Sequence, residues 1–311
     1  MLTGPQPDIL NRDPFPEDVR RVLGIFQDGI DVCVDRTTHT LSELINNESD
    51  EHGIATGVIA ALLRHIAEYG DAISVLMPHG IAEPATSMAR SMLEVHLQIL
   101  YICENDSENR ARQYNFFDKT QRLEDIDDAL NPGSEAHKIL FQSDDGGRKK
   151  AAFQREQQRL KDILASKEYS SLQTMYQTKK KWGYWYEIGN GPGTIYSLAK
   201  HLNESKLYTD IYSHWSGNQH GGNTLSALQK SQDGDSTLLG LRNPHKCKTV
   251  ALMTMALIRK SNRVIYEKIL ADGLGDYKQW NTEVAVPKSQ EIQKVEIVDP
   301  SVSFGDTVSQ H

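Results

Sequence analysis

Residues 85–103 decide the fold, and they read ATSMARSMLEVHLQILYIC. Pro84 precedes them, which suits the first turn of a helix because proline lacks only an N–H that would be unpaired there. Wound as a helix, the stretch is apolar on nearly every side, so it is expected to be buried at the centre of the protein. The polar side chains along it then need partners inside the protein. The main ones are Arg90, Ser91, Glu94, His96 and Gln98.

Amphipathic helices are predicted on both sides of this stretch. Residues 19–34 carry apolar side chains at steps of three and four, as residues 54–76 do, which indicates one buried stripe per helix. Further helical segments are predicted at residues 108–130, 151–166, 194–202, 208–220 and 249–270. No alternating strand pattern and no internal repeat is found. The predicted fold class is all-α, a multi-helix bundle with a buried central helix.

The domain organisation follows from the segments without helical periodicity. Residues 1–18 are predicted to be a loose leader, and residues 19–283 a helical bundle domain. Within that domain, residues 131–150 contain Asn-Pro-Gly and Asp-Asp-Gly-Gly, which favour a flexible connection. Residues 284–311 show no apolar period that could hold them to a core, so a mobile, disordered C-terminal tail is predicted.

Composition restricts the class of protein. The chain has 311 residues and a formal charge of −8, which argues against a general polyanion binder but leaves a local basic site open. Its three cysteines are far apart, as is common in a reducing compartment. No apolar stretch approaches the ~20 residues that span a bilayer, and the N-terminus has no apolar core of a signal peptide. A cytoplasmic protein without a membrane partner is expected.

The first motif that could carry chemistry is the pair Arg90 and Glu94. They are four residues apart, so on a helix the guanidinium and the carboxylate lie on the same face. Burying two charges on an apolar helix is costly, and such a pair is retained for a structural or a functional reason.

The second motif is Tyr212, Ser216 and His220, followed by Gly221. Spacings of four and eight place a phenol, a hydroxyl and an imidazole along one edge of a helix. His220 falls at the predicted C-terminal turn, where the helix dipole favours the protonated ring. A histidine that can be charged near neutral pH has the chemistry for acid–base catalysis.

Two weaker patterns complete the candidate sites. Lys179, Lys180 and Lys181 precede an aromatic run in which Trp185 and Tyr186 could stack on a nucleotide, although an aromatic anchor beside solvated lysines is the simpler interpretation. A metal site could use His214 and His220 with Glu94 as a carboxylate, and His245 adds another histidine, but these residues show no recognised zinc spacing. No metal and no cofactor is therefore expected.

Two resemblances rest on these residues. The R-S-x-x-E motif at Arg90, Trp185-Tyr186, Leu198-Ala199 and the Y-x-x-x-S-x-x-x-H-G motif at Tyr212 resemble an uncharacterised bacterial family of helical proteins, known only as a domain of unknown function. The likeness covers roughly residues 54–270. It implies a helical fold and makes Arg90, Glu94, Tyr212, Ser216 and His220 the positions of interest.

The segment from Arg90 to His96 is also similar to the arginine–histidine motif of the HEPN superfamily of helical ribonucleases, toxins and nucleotide-binding proteins. It departs from that motif at Ser91, where Asn, Asp or His is usual. Residues six apart on a helix also point about 120° away from each other. His220 could supply the imidazole instead of His96.

The resemblance implies a metal-independent ribonuclease or nucleotide-processing protein, acting in stress or phage defence, with Arg90, Glu94 and His220 as the catalytic residues. Tyr212, Ser216, His96, Trp185 and Tyr186 would bind the substrate. RNA or a nucleotide is the expected partner, and a homo-oligomer or a protein partner stays open. The alternative is a non-enzymatic binding or scaffold protein whose polar cluster only fixes how helices pack.

Overall fold

The computed structural model describes residues 15–46, 53–141, 146–179, 181–213, 228–230, 236–238 and 241–297. These residues are mostly helical, which confirms the all-α class. No helix among them is long and apolar enough to cross a membrane. The helices are α1 (Glu17–Asn46), α2 (Gly53–Leu76), α3 (Ala82–Glu104), α4 (Ser107–Leu130), α5 (Glu135–Phe141), α6 (Gly146–Leu164), α7 (Ser170–Tyr176), α8 (Ile195–His201), α9 (Ser205–Tyr208), α10 (Pro244–Lys268), α11 (Leu274–Trp280) and α12 (Val286–Lys294).

Shorter elements connect some of these helices. Single 3₁₀ turns lie at Met77–His79, Lys167–Tyr169, Trp185–Glu187 and Ala271–Gly273, and π-helical turns at Thr209–Ser213 and Asn281–Ala285. Two strands, β1 (Leu228–Lys230) and β2 (Ser236–Leu238), pair antiparallel. The sequence predicted no strand, because three residues are too few to show an alternating pattern.

The chain divides into two compact units. The first consists of the described residues of Met1–Asn47, Ala60–Leu100 and Glu204–His311, and the second of those of Glu48–Ile59 and Tyr101–Asn203. The helices predicted within residues 19–283 are shared between these two units.

In the first unit, α1 packs along α10. The stripe predicted on α1 is buried, with Leu23 and Phe26 completely inaccessible. Gly29 allows a close approach, because a Cβ at this position would lie 2.7 Å from Ile292 Cδ1 and 3.1 Å from Met255 Sδ. The buried central helix is also confirmed for the part of α3 in this unit, where the fully buried residues include Ala85, Ala89, Met92, Leu93 and Leu97.

A buried arginine joins α1 to α10 and α11. Arg36 donates from Nη1 to Asp276 Oδ2 over 2.6 Å and from Nη2 to Tyr266 Oη over 2.9 Å. Its guanidinium carbon lies 5.0 Å from the Tyr266 ring centroid and 5.7 Å from those of Tyr277 and Trp280. Hydrogen bonds and cation–π contacts thus compensate for the burial of this cation.

Both predicted ends of the bundle need correction. The leader was predicted to extend to residue 18, but α1 begins at Glu17, and Phe15 is buried against Gly80. Gly80 has a φ of 63°, which a side chain would strain, and a Cβ there would lie 2.7 Å from the Phe15 ring.

The tail was predicted to begin at residue 284, but α12 extends to Lys294 with Ile292 completely buried. Ser289 interrupts the apolar period of this segment. Arg259 compensates by donating to Asn281 Oδ1 over 2.8 Å and to Ser289 Oγ over 3.3 Å. Polar contacts therefore help to hold α12 in place, although its sequence predicted a tail. Residues 298–311 lie outside the described residues.

The second unit is built on α4, which packs against α5 and α6. One core cluster in this unit consists of Phe116, Leu164, Tyr169, Leu172 and Ile188. The prediction of a flexible connection at residues 131–150 is wrong for α5 and for the first turn of α6, which both lie in that range. The turn residues at 131–134 suggested a flexible connection, but they end α4 and lead directly into α5.

Gly191 allows the chain to pass the turn at Trp185–Glu187. A Cβ on Gly191 would lie 1.8 Å from the Tyr186 carbonyl oxygen, so backbone would have to move. We expect Gly191→Ala to lower the free energy of unfolding by about 1–3 kcal/mol, as overpacking does elsewhere. Urea denaturation measures the loss. Gly193→Ala is the matched control, because a Cβ there meets nothing within 4 Å, and equal effects of both variants would contradict the prediction.

Candidate functional site

The structure brings together one residue from each of the two predicted motifs. Arg90 on α3 is 8% exposed, and its guanidinium carbon lies 3.8 Å from the centroid of the Tyr212 ring. A guanidinium at this distance from an aromatic centroid makes a close cation–π contact. Both residues belong to the first unit. Ser216 and His220, the other members of the second motif, lie outside the described residues.

Tyr212 lies in a π-helical turn. The sequence predicted an α-helix from residue 208 to residue 220, whereas α9 begins at Ser205 and the π turn occupies Thr209–Ser213. Tyr208 stacks on Tyr212 with ring centroids 4.7 Å apart and ring planes 17° apart. Tyr212 therefore has an aromatic neighbour four residues before it, and π-helical turns are frequent at functional sites.

Glu94 lies one turn beyond Arg90 and is half-buried. Burial raises the pKa of Glu94 above its usual range, and the positive charge of Arg90 offsets part of that effect. Arg90 and Glu94 therefore interact electrostatically along α3, as their spacing predicted.

His96 is a packing residue, which corrects its predicted binding role. It is completely buried, and its Nδ1 lies 2.7 Å from Ser261 Oγ. Burial, together with the charge of Lys260, lowers the pKa of His96 to about 3, so the ring is neutral near pH 7. This burial does not support the predicted role of His96 in binding a substrate, nor its pairing with Arg90 as the reactive pair.

The predicted nucleotide-binding aromatics are also buried. Trp185 is 5% exposed and Tyr186 2% exposed, both within the second unit. They pack on Tyr101, whose ring centroid is 5.6 Å from that of Trp185 and 6.3 Å from that of Tyr186. Tyr184 is 40% exposed and lies parallel to Tyr186. The segment is an aromatic anchor, the simpler of the two interpretations of its sequence.

One polar cluster in the second unit was missed. Glu104 Oε2 lies 2.8 Å from His201 Nε2 and 2.9 Å from Arg110 Nη1. Burial raises the pKa of Glu104, but the hydrogen bonds from His201 and Arg110 outweigh it and hold the pKa below its usual range. A carboxylate that orients a part-exposed histidine has the form of an acid–base pair. Nothing in the sequence indicates that Glu104 and His201, which are 97 positions apart, form a pair.

A metal centre has no support in the described part of the chain. Among those residues, no group of three or more His, Cys, Asp or Glu side chains could hold a metal ion. His214 and His220, the nearest approach to a ligand set in the sequence, lie outside that part.

Comparisons with known proteins place the chain in one family. No curated protein and no solved structure matches it. One family model matches residues 56–236, which is more than half of the chain and includes both the R-S-x-x-E motif and the motif that begins at Tyr212. The resemblance to an uncharacterised helical family is thereby confirmed. The chain belongs to DUF5677, a family of unknown function.

Proposed function

We propose that the chain is a cytoplasmic, metal-independent protein that processes RNA or a nucleotide, in the manner of a HEPN-like ribonuclease that acts in stress or phage defence. The observation that carries the proposal is the contact between Arg90 and Tyr212. It joins the two motifs across more than a hundred residues of chain and positions a cation beside the segment that leads to Ser216 and His220.

Arg90 has the geometry to bind a phosphate. Its guanidinium is planar and carries N–H groups whose arrangement matches two phosphate oxygens. Glu94 would orient Arg90.

The reaction requires one proton acceptor and one stabilised phosphorane. His220 would take the proton of a ribose 2′-hydroxyl, whose oxygen then attacks the adjacent phosphorus. The bond from phosphorus to the 5′-oxygen breaks, and the protonated His220 gives its proton to that oxygen, which yields a 2′,3′-cyclic phosphate, a 5′-hydroxyl and the neutral imidazole. Arg90 would stabilise the charge that develops on the phosphorane oxygens, with Tyr212 and Ser216 holding the phosphate or the imidazole.

A second candidate is a non-enzymatic scaffold in which the same residues only fix helix packing. The low exposure of Arg90 favours it, because a cation–π contact of a nearly buried arginine stabilises a helix pair without any ligand. A conservative change at Arg90 should lower the rate of cleavage if the chain is an enzyme, and the thermal midpoint if it is a scaffold.

The test is cleavage of single-stranded RNA by the full chain in the presence of a chelator. Arg90→Lys keeps the charge but loses the bidentate edge, so we expect kcat/KM to fall about tenfold. Arg64→Lys is the matched control, since Arg64 is exposed and pairs with Glu68 in the next turn. A parent chain that cleaves no RNA or nucleotide, together with a lower thermal midpoint for Arg90→Lys, would establish the scaffold.

A further inference from the structure

A cleft between α4 and α6 in the second unit combines apolar walls with a charged rim. Its volume is about 360 Å³, and its lining consists of Arg122, Ile126, Ala152, Phe153 and Glu156. Ligand pockets range from about 300 to 1,000 Å³, so the cleft is large enough for a small ligand. Phe153 is half-buried and Ala152 exposed, so part of the apolar wall faces solvent.

The rim carries more positive than negative charge. Arg159 donates from Nε to Glu156 Oε2 over 2.7 Å and from Nη2 to Glu156 Oε1 over 2.8 Å. Arg122 Nη2 lies 2.9 Å from the same Oε1 atom. Lys119 is near enough to act electrostatically on the same carboxylate. One carboxylate therefore holds two guanidiniums side by side, and with Lys119 the group has a net positive charge.

These ion pairs can be exchanged at little cost. The side chains of Arg122 and Arg159 are 59% and 55% exposed, and exposed ion pairs contribute little to stability. Each guanidinium can turn from Glu156 to an incoming anion without unfolding anything. Glu156 repels such an anion, but the cations outnumber it.

We propose that this cleft binds a nucleotide, with the base against Phe153 and the phosphate on Arg122 and Arg159. Charge complementarity demands an anion, and the guanidinium pair favours phosphate, whose oxygens match the bidentate geometry. The apolar wall favours a ligand that also has a flat apolar part. A nucleotide base has this property, because it can stack on an aromatic ring. The cleft shares no residue with the Arg90 site. Nucleotide binding in the cleft can therefore be tested independently of the proposed function.

The experiment is calorimetric titration of the full chain with adenosine monophosphate, adenosine, inorganic phosphate and a short 5′-phosphorylated RNA. Adenosine monophosphate should bind more tightly than adenosine or phosphate alone. Comparing its affinity with that of the RNA shows whether the cleft binds a free nucleotide or the 5′-end of an RNA strand. Arg122→Gln and Arg159→Gln should each weaken binding about tenfold, as loss of a charge-assisted hydrogen bond does.

Three further variants separate a ligand site from a structural one. Glu156→Gln should tighten binding several-fold, because it removes the competing carboxylate, whereas a merely structural role predicts no gain. Phe153→Leu should weaken adenosine monophosphate and leave inorganic phosphate unchanged. Arg263→Gln is the matched control for charge, since Arg263 forms an exposed pair with Glu267 in the first unit.

The proposal is overturned if adenosine monophosphate does not bind, or if inorganic phosphate binds equally well. It is also overturned if Arg122→Gln and Arg263→Gln weaken binding equally, which would indicate unspecific charge. Circular dichroism of each variant verifies folding. Should Arg122→Gln unfold, the sign of the change in Glu156→Gln decides the question.

Discussion

His220→Ala is expected to lower the rate of RNA cleavage by about 10²–10⁴-fold, the usual contribution of a general acid–base group. The expectation rests on the Tyr212 motif, whose first residue contacts Arg90. His220 follows Tyr212 by eight positions and precedes two glycines, and its proposed role is chemical rather than structural. The thermal midpoint should therefore change little, and cleavage of a fluorescent oligoribonucleotide measures the rate.

The control for this variant is His201→Ala. His201 pairs with a carboxylate, Glu104, but it belongs to the second unit and has no part in the proposed reaction. Equal losses of rate in both variants would contradict the assignment of His220. A large fall in the thermal midpoint of His220→Ala without a loss of rate would make His220 a packing residue.

Acid should destabilise the first unit through His96. The pKa of His96 is lowered to about 3, whereas the ring in the unfolded chain has its ordinary value of 6.5. Between these values the unfolded chain binds more protons than the folded chain, so the free energy of unfolding falls as the pH drops from 6.5 towards 3. Each pH unit within that window removes up to ~1.4 kcal/mol. Between pH 7 and pH 4.5 the loss from this group should be about 2–3 kcal/mol.

Urea denaturation at several pH values measures this loss. His96→Gln keeps a side chain that can bond to Ser261 but cannot titrate, so its stability should depend less on pH. His65→Gln is the matched control, because His65 is exposed on α2 and pairs with Glu68. If His96→Gln is as sensitive to acid as the parent, some other group is responsible.

The sequence predicted the fold best where periodicity is strong. Burial of α3 and of the α1 stripe follows from local apolar spacing alone. Arg36 was not predicted to be buried, because its partners lie on α10 and α11, more than 200 residues away. The division into two units could not be predicted either. One of its boundaries falls between Leu100 and Tyr101 in α3, a continuous helix that has no glycine and no proline after Pro84.

Prediction of the site was limited by burial, which residue type alone does not reveal. Arg90 and Tyr212 each belong to a motif that was identified from its spacing, and their side chains are in contact. Trp185 and Tyr186 were assigned to a ligand although they fill a core, since an aromatic run has the same sequence in both settings. Glu104 and His201 gave no signal, because their pairing depends on tertiary structure alone.

The π-helical turn at Thr209–Ser213 makes chain length at that point critical. A π turn contains about one residue more than an α turn, so deletion of one residue there would restore the α-helical count. Every later position would then rotate by about 100° around the helix axis. Tyr208 and Tyr212 would lose their stacking. The segment should therefore accept many substitutions but no change of length, because an insertion or a deletion would separate Tyr212 from Arg90.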